Sequence, residues 1–252
     1  MRLLCHVLLL ALSFIGTASA EPWQVPVLVY HRFHPTTASS ATVVTTPLFT
    51  RQMEAIAAAG IPVIPLRALL DGRPIPPHAI VITADDGHSS VYTEMFPVLR
   101  RLNFPATLFL NPPALGHGSY LSWAQIEEMR ASGLIEAEPH TMTHPDFRAE
   151  RSRRTPEEFF ALVTRELTGS REVLRTRLHT PADILAWPFG IHDPSLEAAA
   201  AAAGYRAAFA LGGRPAREDE TPFAFSRYQV YETDGLDRFR QVLAGVPRGS
   251  RR

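Results

Sequence analysis

"AIVITADDG" (79–87) is an apolar run that ends in two adjacent carboxylates, Asp85 and Asp86, and a glycine. Residues 79–84 have the β-branched, apolar character of a strand buried on both faces. Such a strand belongs to a parallel sheet covered by helices, which sets the class of fold to look for in the rest of the chain. The carboxylates pose a separate problem. Each raises the cost of ionising the other unless something positive lies nearby.

Working outward, strand-like and helix-like segments alternate. "VPVLVYH" (25–31), "IPVIPL" (61–66), "ATLFLNPP" (106–113), residues 134–138, "ILAWPFG" (184–190), "YRAAFAL" (205–211) and "FSRYQV" (225–230) read as strands. Between them, residues 47–60 place Phe49, Met53 and Ile56 on one helical face, and Gly60 suits a stop. Residues 89–103 read as a helix kinked at Pro97, and 122–133 as a helix capped by Ser122. Residues 155–179 form a long helix with Thr155 as cap, a stripe of Phe159, Val163, Leu167, Leu174 and Leu178, and a weak middle at Gly169. Asp193 caps a helix over 193–205, and a last helix lies near 236–245. Segments 33–45, 111–120 and 212–224 read as loops. This alternation predicts an α/β domain, either a closed or nearly closed barrel with seven or eight strand candidates or an open doubly wound sheet. In both, ligands gather at the carboxyl ends of the strands.

The first twenty of the 252 residues have the order of a secretory signal: Arg2, an apolar core to about Ile15, then Ala18-Ser19-Ala20. Cleavage after Ala20 leaves 21–252 as one domain, secreted or periplasmic, with no further segment long enough to span a bilayer. The single cysteine, Cys5, lies in the leader, so the mature chain forms no disulfide. Twenty-five basic and twenty-five acidic residues balance, which gives no field for nucleic acid. All the basic residues are arginine.

Reactive side chains fall at strand ends: His31, Asp85, Asp86, then His140 and His144 in "HTMTHP" (140–145). Pro139 and Pro145 make the second pair of residues a loop rather than one helical turn. Two imidazoles and a carboxylate are borderline ligands that suit zinc, with room for water.

"TADDG" (83–87) and "HTMTHP" (140–145), in that order, resemble the first two motifs of the NodB-homology polysaccharide deacetylases, carbohydrate esterase family 4; "WPFG" (187–190) resembles the end of the third. "VPVLVYHRF" (25–33) is similar to the branch that includes the poly-N-acetylglucosamine deacetylases. The resemblance covers nearly all of 25–245. It implies a distorted (β/α) barrel that removes acetyl groups from an acetylated polysaccharide. By position, Asp85 becomes the general base, and Asp86, His140 and His144 hold a divalent metal, Zn²⁺ first, with Co²⁺, Ni²⁺ or Fe²⁺ as alternatives. On this reading the cation also relieves Asp85. The backbone N–H of Phe189 meets the oxyanion. No histidine follows His192, so His31 takes the role of general acid. Tyr30 and Trp187 are expected to stack on sugar rings.

Three departures stand out: Ala84 replaces the usual Phe, Pro139 a small polar residue, and Ala186 an arginine that orients the base. A silent glycan-binding module on the same scaffold is the rival reading. Within the enzyme class, an O-acetyl xylan-type esterase and a peptidoglycan deacetylase are the alternatives.

Overall fold

A computed structural model describes residues 22–248; the expected leader, with Cys5, lies outside them. The strands are β1 (Gln24–Val25), β2 (Val27–Tyr30), β3 (Arg32–His34), β4 (Val43–Thr45), β5 (Val81–Asp85), β6 (Ala106–Leu110), β7 (Ile135–Pro139), β8 (Ile184–Ala186), β9 (Ala207–Phe209), β10 (Ala216–Arg217) and β11 (Tyr228–Gln229). The helices are α1 (Thr46–Ala58), α2 (Phe96–Leu102), α3 (Trp123–Ala131), α4 (Phe147–Ser152), α5 (Pro156–Leu178), α6 (Pro194–Ala202) and α7 (Gly235–Leu243).

A parallel sheet runs β11-β2-β5-β6-β7, and β8 pairs with β9 in parallel. Phe209 bridges to Phe225, just ahead of β11, which brings the ring back to its start. The result is the expected distorted barrel. Its inner side chains follow the period of two: Val27 on β2, Val81 on β5, Phe109 on β6, Ile184 and Ala186 on β8, and Ala207 and Phe209 on β9 form the inner apolar cluster. The alternate residues Leu28, Tyr30, Ile82, Ala84, Leu108, Leu110 and Tyr228 point outward to helices α1 to α3 and α7. Leu185 and Trp187 point outward to α5 and α6.

The barrel is distorted at one seam. No ladder joins β7 to β8, and side chains span the gap. Glu138 accepts the Ile184 N–H at 3.1 Å and an Arg67 N–H at 2.5 Å. His140 donates from Nδ1 to the Ala186 carbonyl at 2.8 Å. Glu138 is 1% exposed, and burial pushes its carboxyl up to about 8. The Ile184 N–H and Arg67 offset this only in part, because Arg67 is shared with Asp183 and Glu136. The folded chain therefore holds a proton that the unfolded chain, with an ordinary glutamate pKa of about 4.3, releases. This contribution to stability is fully present below about pH 4.3 and is lost as pH rises toward about 8. Urea denaturation from pH 4.5 to 8 should show falling stability, with a shallower slope in Glu138→Gln.

Several expectations change in detail. Residues 61–66 contribute only a bridge from Val63 to Ile80, since Pro62 and Pro65 lack N–H donors for a ladder. The expected loop 33–45 carries the β3–β4 parallel pair, and 212–224 carries β10, which pairs with β1. Helix α4 follows the His-containing loop and was not anticipated. Pro97 sits in the first turn of α2, after a π-helical stretch over Val91–Met95. Helix α5 runs unbroken through Gly169, which packs against Met142.

Candidate metal centre and cleft

The strand ends open into a cleft of about 640 Å³ lined by His31, Asp85, Asp86, His140, His144 and Phe189, among others. The same alternation that fills the barrel puts Asp85 on its inner face. The chain then turns sharply. Asp86 and Gly87 both adopt left-handed backbone, φ 71° and 74°. Only glycine fits position 87, where a Cβ would come within 2.8 Å of Leu110 Cδ2. The turn aims Asp86 across the cleft at the loop after β7, which is itself held in left-handed conformations at Thr141 (φ 64°) and His144 (φ 57°). Such conformations in non-glycine residues persist where the surroundings enforce them.

A buried carboxylate enforces this one. Glu166 of α5, 4% exposed, accepts from both the N–H and the hydroxyl of Thr143 at 2.7 Å. Thr143 lies between the two histidines, so Glu166 fixes the span that presents them. Glu166→Ala should weaken divalent-metal binding by roughly 10- to 100-fold, measured by competition with a chelating dye.

Asp86 Oδ1 lies 3.6 Å from His140 Nε2 and 3.5 Å from His144 Nε2. These distances are too long for hydrogen bonds. They match the roughly 3.4 Å that separates two ligand atoms on one tetrahedral ion with bonds of about 2.1 Å. The donor chemistry agrees. The Ala186 carbonyl can only accept, so His140 carries its proton on Nδ1 and turns a bare Nε2 lone pair toward Asp86. Burial lowers the pKa of His140, against the opposing pull of Asp85 and Asp86, and keeps the ring neutral. A lone pair facing carboxylate oxygens is repulsive without a cation between them. Asp86, His140 and His144 present ligand atoms that all fall within 4.8 Å of one another, and they form the one such cluster among the described residues. The residues fit a divalent metal.

Asp85 is held differently from the sequence expectation. Arg227, fully buried, makes a two-pronged ion pair with it, 2.8 Å on each carboxylate oxygen. The guanidinium also reaches Thr83 Oγ1 at 3.3 Å and lies over the Phe109 ring. Burial alone would raise the Asp85 pKa; Arg227 and the nearby imidazoles reverse that and bring it down to about 2. Arg227, from within the barrel, is thus the positive charge that relieves Asp85, and Asp86 is left to face the two histidines. This arginine also replaces the one missing at Ala186, whose backbone carbonyl instead orients His140. Sequence reading missed it. The available signal was a lone arginine between Phe225 and Gln229 at an inward-facing position of a strand.

His31 lines the cleft as expected, and burial lowers its pKa despite Asp85 and Asp86. Phe189 has φ 57°; the residue is 58% exposed, and its ring packs edge-on to His144 at 4.6 Å. Two expected sugar platforms are corrected. Tyr30 is fully buried outside the barrel and donates its hydroxyl to Gln52. Trp187 is fully buried, and its indole N–H donates to the Phe223 carbonyl. Both alternate with inward-facing neighbours: Tyr30 lies outside the cleft, and Trp187 borders it but is fully covered, so neither offers a sugar ring a stacking face. Outside the cleft lining, His88 pairs with Ser90 and His192 with Glu197, and Asp193 caps α6.

A family model described as polysaccharide deacetylase matches residues 72–208. The poly-beta-1,6-N-acetyl-D-glucosamine N-deacetylase of Escherichia coli (strain K12) is 25% identical over 153 residues, which cover 47% of this chain and 23% of that protein. The chain spans about half or less of the first curated relatives it matches, 51% and 23% of their lengths. Among solved structures, IcaB from Ammonifex degensii superposes with a TM-score of 0.77 at 26% identity, over 88% of this chain and 96% of that one. The Streptococcus pyogenes deacetylase PplD, in complex with acetate, reaches 0.78 at 20% identity, over 88% and 99%. With more than half of its length matched by the family model, and with that family's fold, the chain belongs to the polysaccharide deacetylases.

Proposed function

We propose that the protein is a metal-dependent hydrolase that removes acetyl groups from polysaccharide containing N-acetylglucosamine and releases acetate. The observation that carries this reading is the pairing of two units in one cleft: a three-ligand cluster, Asp86, His140 and His144, and a separate carboxylate, Asp85, already neutralised by Arg227. The named activity of the E. coli relative supports the choice of glycan.

A divalent cation held by Asp86, His140 and His144 would acidify water and polarise the acetyl carbonyl. The chain's own groups do the rest. Asp85 takes the proton of the attacking water. Arg227 occupies one lone-pair direction on each of its oxygens, which leaves another on each to accept. As oxygen bonds to the carbonyl carbon, the backbone N–H of Phe189 stabilises the charge that develops on the carbonyl oxygen. The carbon–nitrogen bond then breaks, and His31 gives a proton to the departing amine. The exposed Phe189 ring, in place of Tyr30 and Trp187, offers the sugar an apolar face.

Zinc is the proposed metal, on the nitrogen–oxygen donor set. The proposed location is outside the cytoplasm, secreted or periplasmic, on the form of residues 1–20. The rival reading as a silent glycan-binding module rested partly on a missing arginine, and Arg227 removes that support. The test is acetate release from poly-β-1,6-N-acetylglucosamine oligomers. Release that stops on chelation and returns with Zn²⁺ or Co²⁺ supports the reading. A metal-loaded protein that binds the oligomers yet frees no acetate overturns it in favour of the module.

A further inference from the structure

Asn111 follows β6 and is 7% exposed, and its Oδ1 has no hydrogen-bond partner. Buried atoms of Gln52, Arg171 and Arg248 share that state, but among the described residues only Asn111 combines it with a place in the cleft lining. Its position follows from the register. Phe109 pairs with Glu138 and Leu110 with Pro139, and the His140 N–H donates to the Leu110 carbonyl at 2.9 Å. One further step of the same parallel alignment sets Asn111 beside His140. Neighbouring strands lie about 4.8 Å apart. Alternation from the inward Phe109 turns Asn111 to the inner face, one layer above Phe109, whose partner on β5 is Asp85. Asn111 therefore lies at the reacting end of the cleft, beside His140 and one layer above the Asp85 pair, and not out along the glycan.

We propose that Asn111 is the residue that makes the site selective for N-acetyl over O-acetyl groups: its side-chain oxygen accepts the N–H of the substrate's acetamide. This rests on the deacetylase reading above. An acetamide has a nitrogen-bound hydrogen to offer, whereas an ester presents an oxygen in the same place, facing another oxygen with no proton between them. A buried acceptor that finds no donor disfavours the analogue that lacks one. The contact also strengthens as the reaction proceeds. When the carbon–nitrogen bond breaks and the nitrogen takes a proton, its hydrogens become more positive and bind a carbonyl oxygen more tightly. Asn111 thus favours the departing amine as well as the bound amide.

The experiment compares kcat/KM for an N-acetylglucosamine oligomer and for 4-methylumbelliferyl acetate in the metal-loaded wild type, Asn111→Leu and Asn111→Ala, with metal content and thermal stability measured in parallel. The expected result is that the amide-to-ester ratio falls by about tenfold or more in both variants. Equal losses on both substrates would overturn the proposal, because Asn111 would then only hold the cleft together. An unchanged ratio with unchanged rates would overturn it as well. If Asn111→Leu fails to fold, Asn111→Ala, which leaves space instead of bulk, decides. A wild type that hydrolyses the ester but frees no acetate from any N-acetylated glycan would defeat the deacetylase reading itself. A wild type active on both with no shift in the variants would defeat this inference alone.

Discussion

Acetate release by Asp85→Asn is expected to fall by roughly 10²- to 10⁴-fold, the usual worth of a positioned general base, while bound metal stays at the wild-type level. An amide nitrogen or oxygen cannot take the proton of the attacking water, but Asp85 is not one of the three ligand residues. Its Oδ2 lies 3.8 Å from His140 Nε2. His140→Ala should behave differently and lose metal and turnover together. Metal analysis of the two variants beside their rates separates the roles. Normal turnover in Asp85→Asn would show that the base lies elsewhere.

Arg227→Leu carries the largest expected effect on stability. Breaking a buried ion pair by removing one partner costs roughly 3–5 kcal/mol, because the remaining charge keeps its desolvation penalty and loses its compensation. The pH dependence should also reverse. In the wild type, the Asp85 pKa of about 2 lies below the unfolded value of about 3.9, so the pair's contribution is complete above pH 3.9 and is lost as pH falls toward 2. Without Arg227, burial dominates and raises the Asp85 pKa above its ordinary value, so the contribution that remains is present at low pH and lost as pH rises. Urea denaturation across pH 3–8 reads both effects. Asp85→Asn in the Arg227→Leu background should recover part of the loss, since an amide is far cheaper to bury than an unpaired carboxylate. Additive losses in the double variant would contradict the coupling.

The metal cluster was readable from sequence because its three residues lie in two short motifs whose spacing is local. Asp86 follows Asp85 directly, and His140 and His144 share one loop. Arg227 was not readable that way. It lies 142 residues from Asp85, immediately before a strand whose ladder is two residues long, and nothing nearby in sequence shows what it faces. Barrel closure is what brings them together. Tyr30 and Trp187 are a different kind of error. Side chains on a strand alternate, so an inward His31 requires an outward Tyr30, and an inward Ala186 an outward Trp187. That information was present, but aromatic character at a strand end outweighed the period. The seam between β7 and β8 could not be foreseen either, because it depends on Glu138 and Arg67 meeting across 71 residues. The α/β alternation was legible, since apolar strands alternating with capped helices need little long-range information to interpret, whereas the choice of a barrel over an open sheet came from the family resemblance and not from the pattern.

If Asp86, His140 and His144 share one ion while Asp85 stands apart on Arg227, anomalous diffraction at the zinc edge, from crystals of the protein grown with Zn²⁺, shows a single strong peak between the carboxylate of Asp86 and the Nε2 atoms of His140 and His144, with both Asp85 oxygens still paired to Arg227. A peak bound by Asp85 in place of Asp86, or a zinc ion elsewhere with the two imidazoles turned apart, would contradict that arrangement.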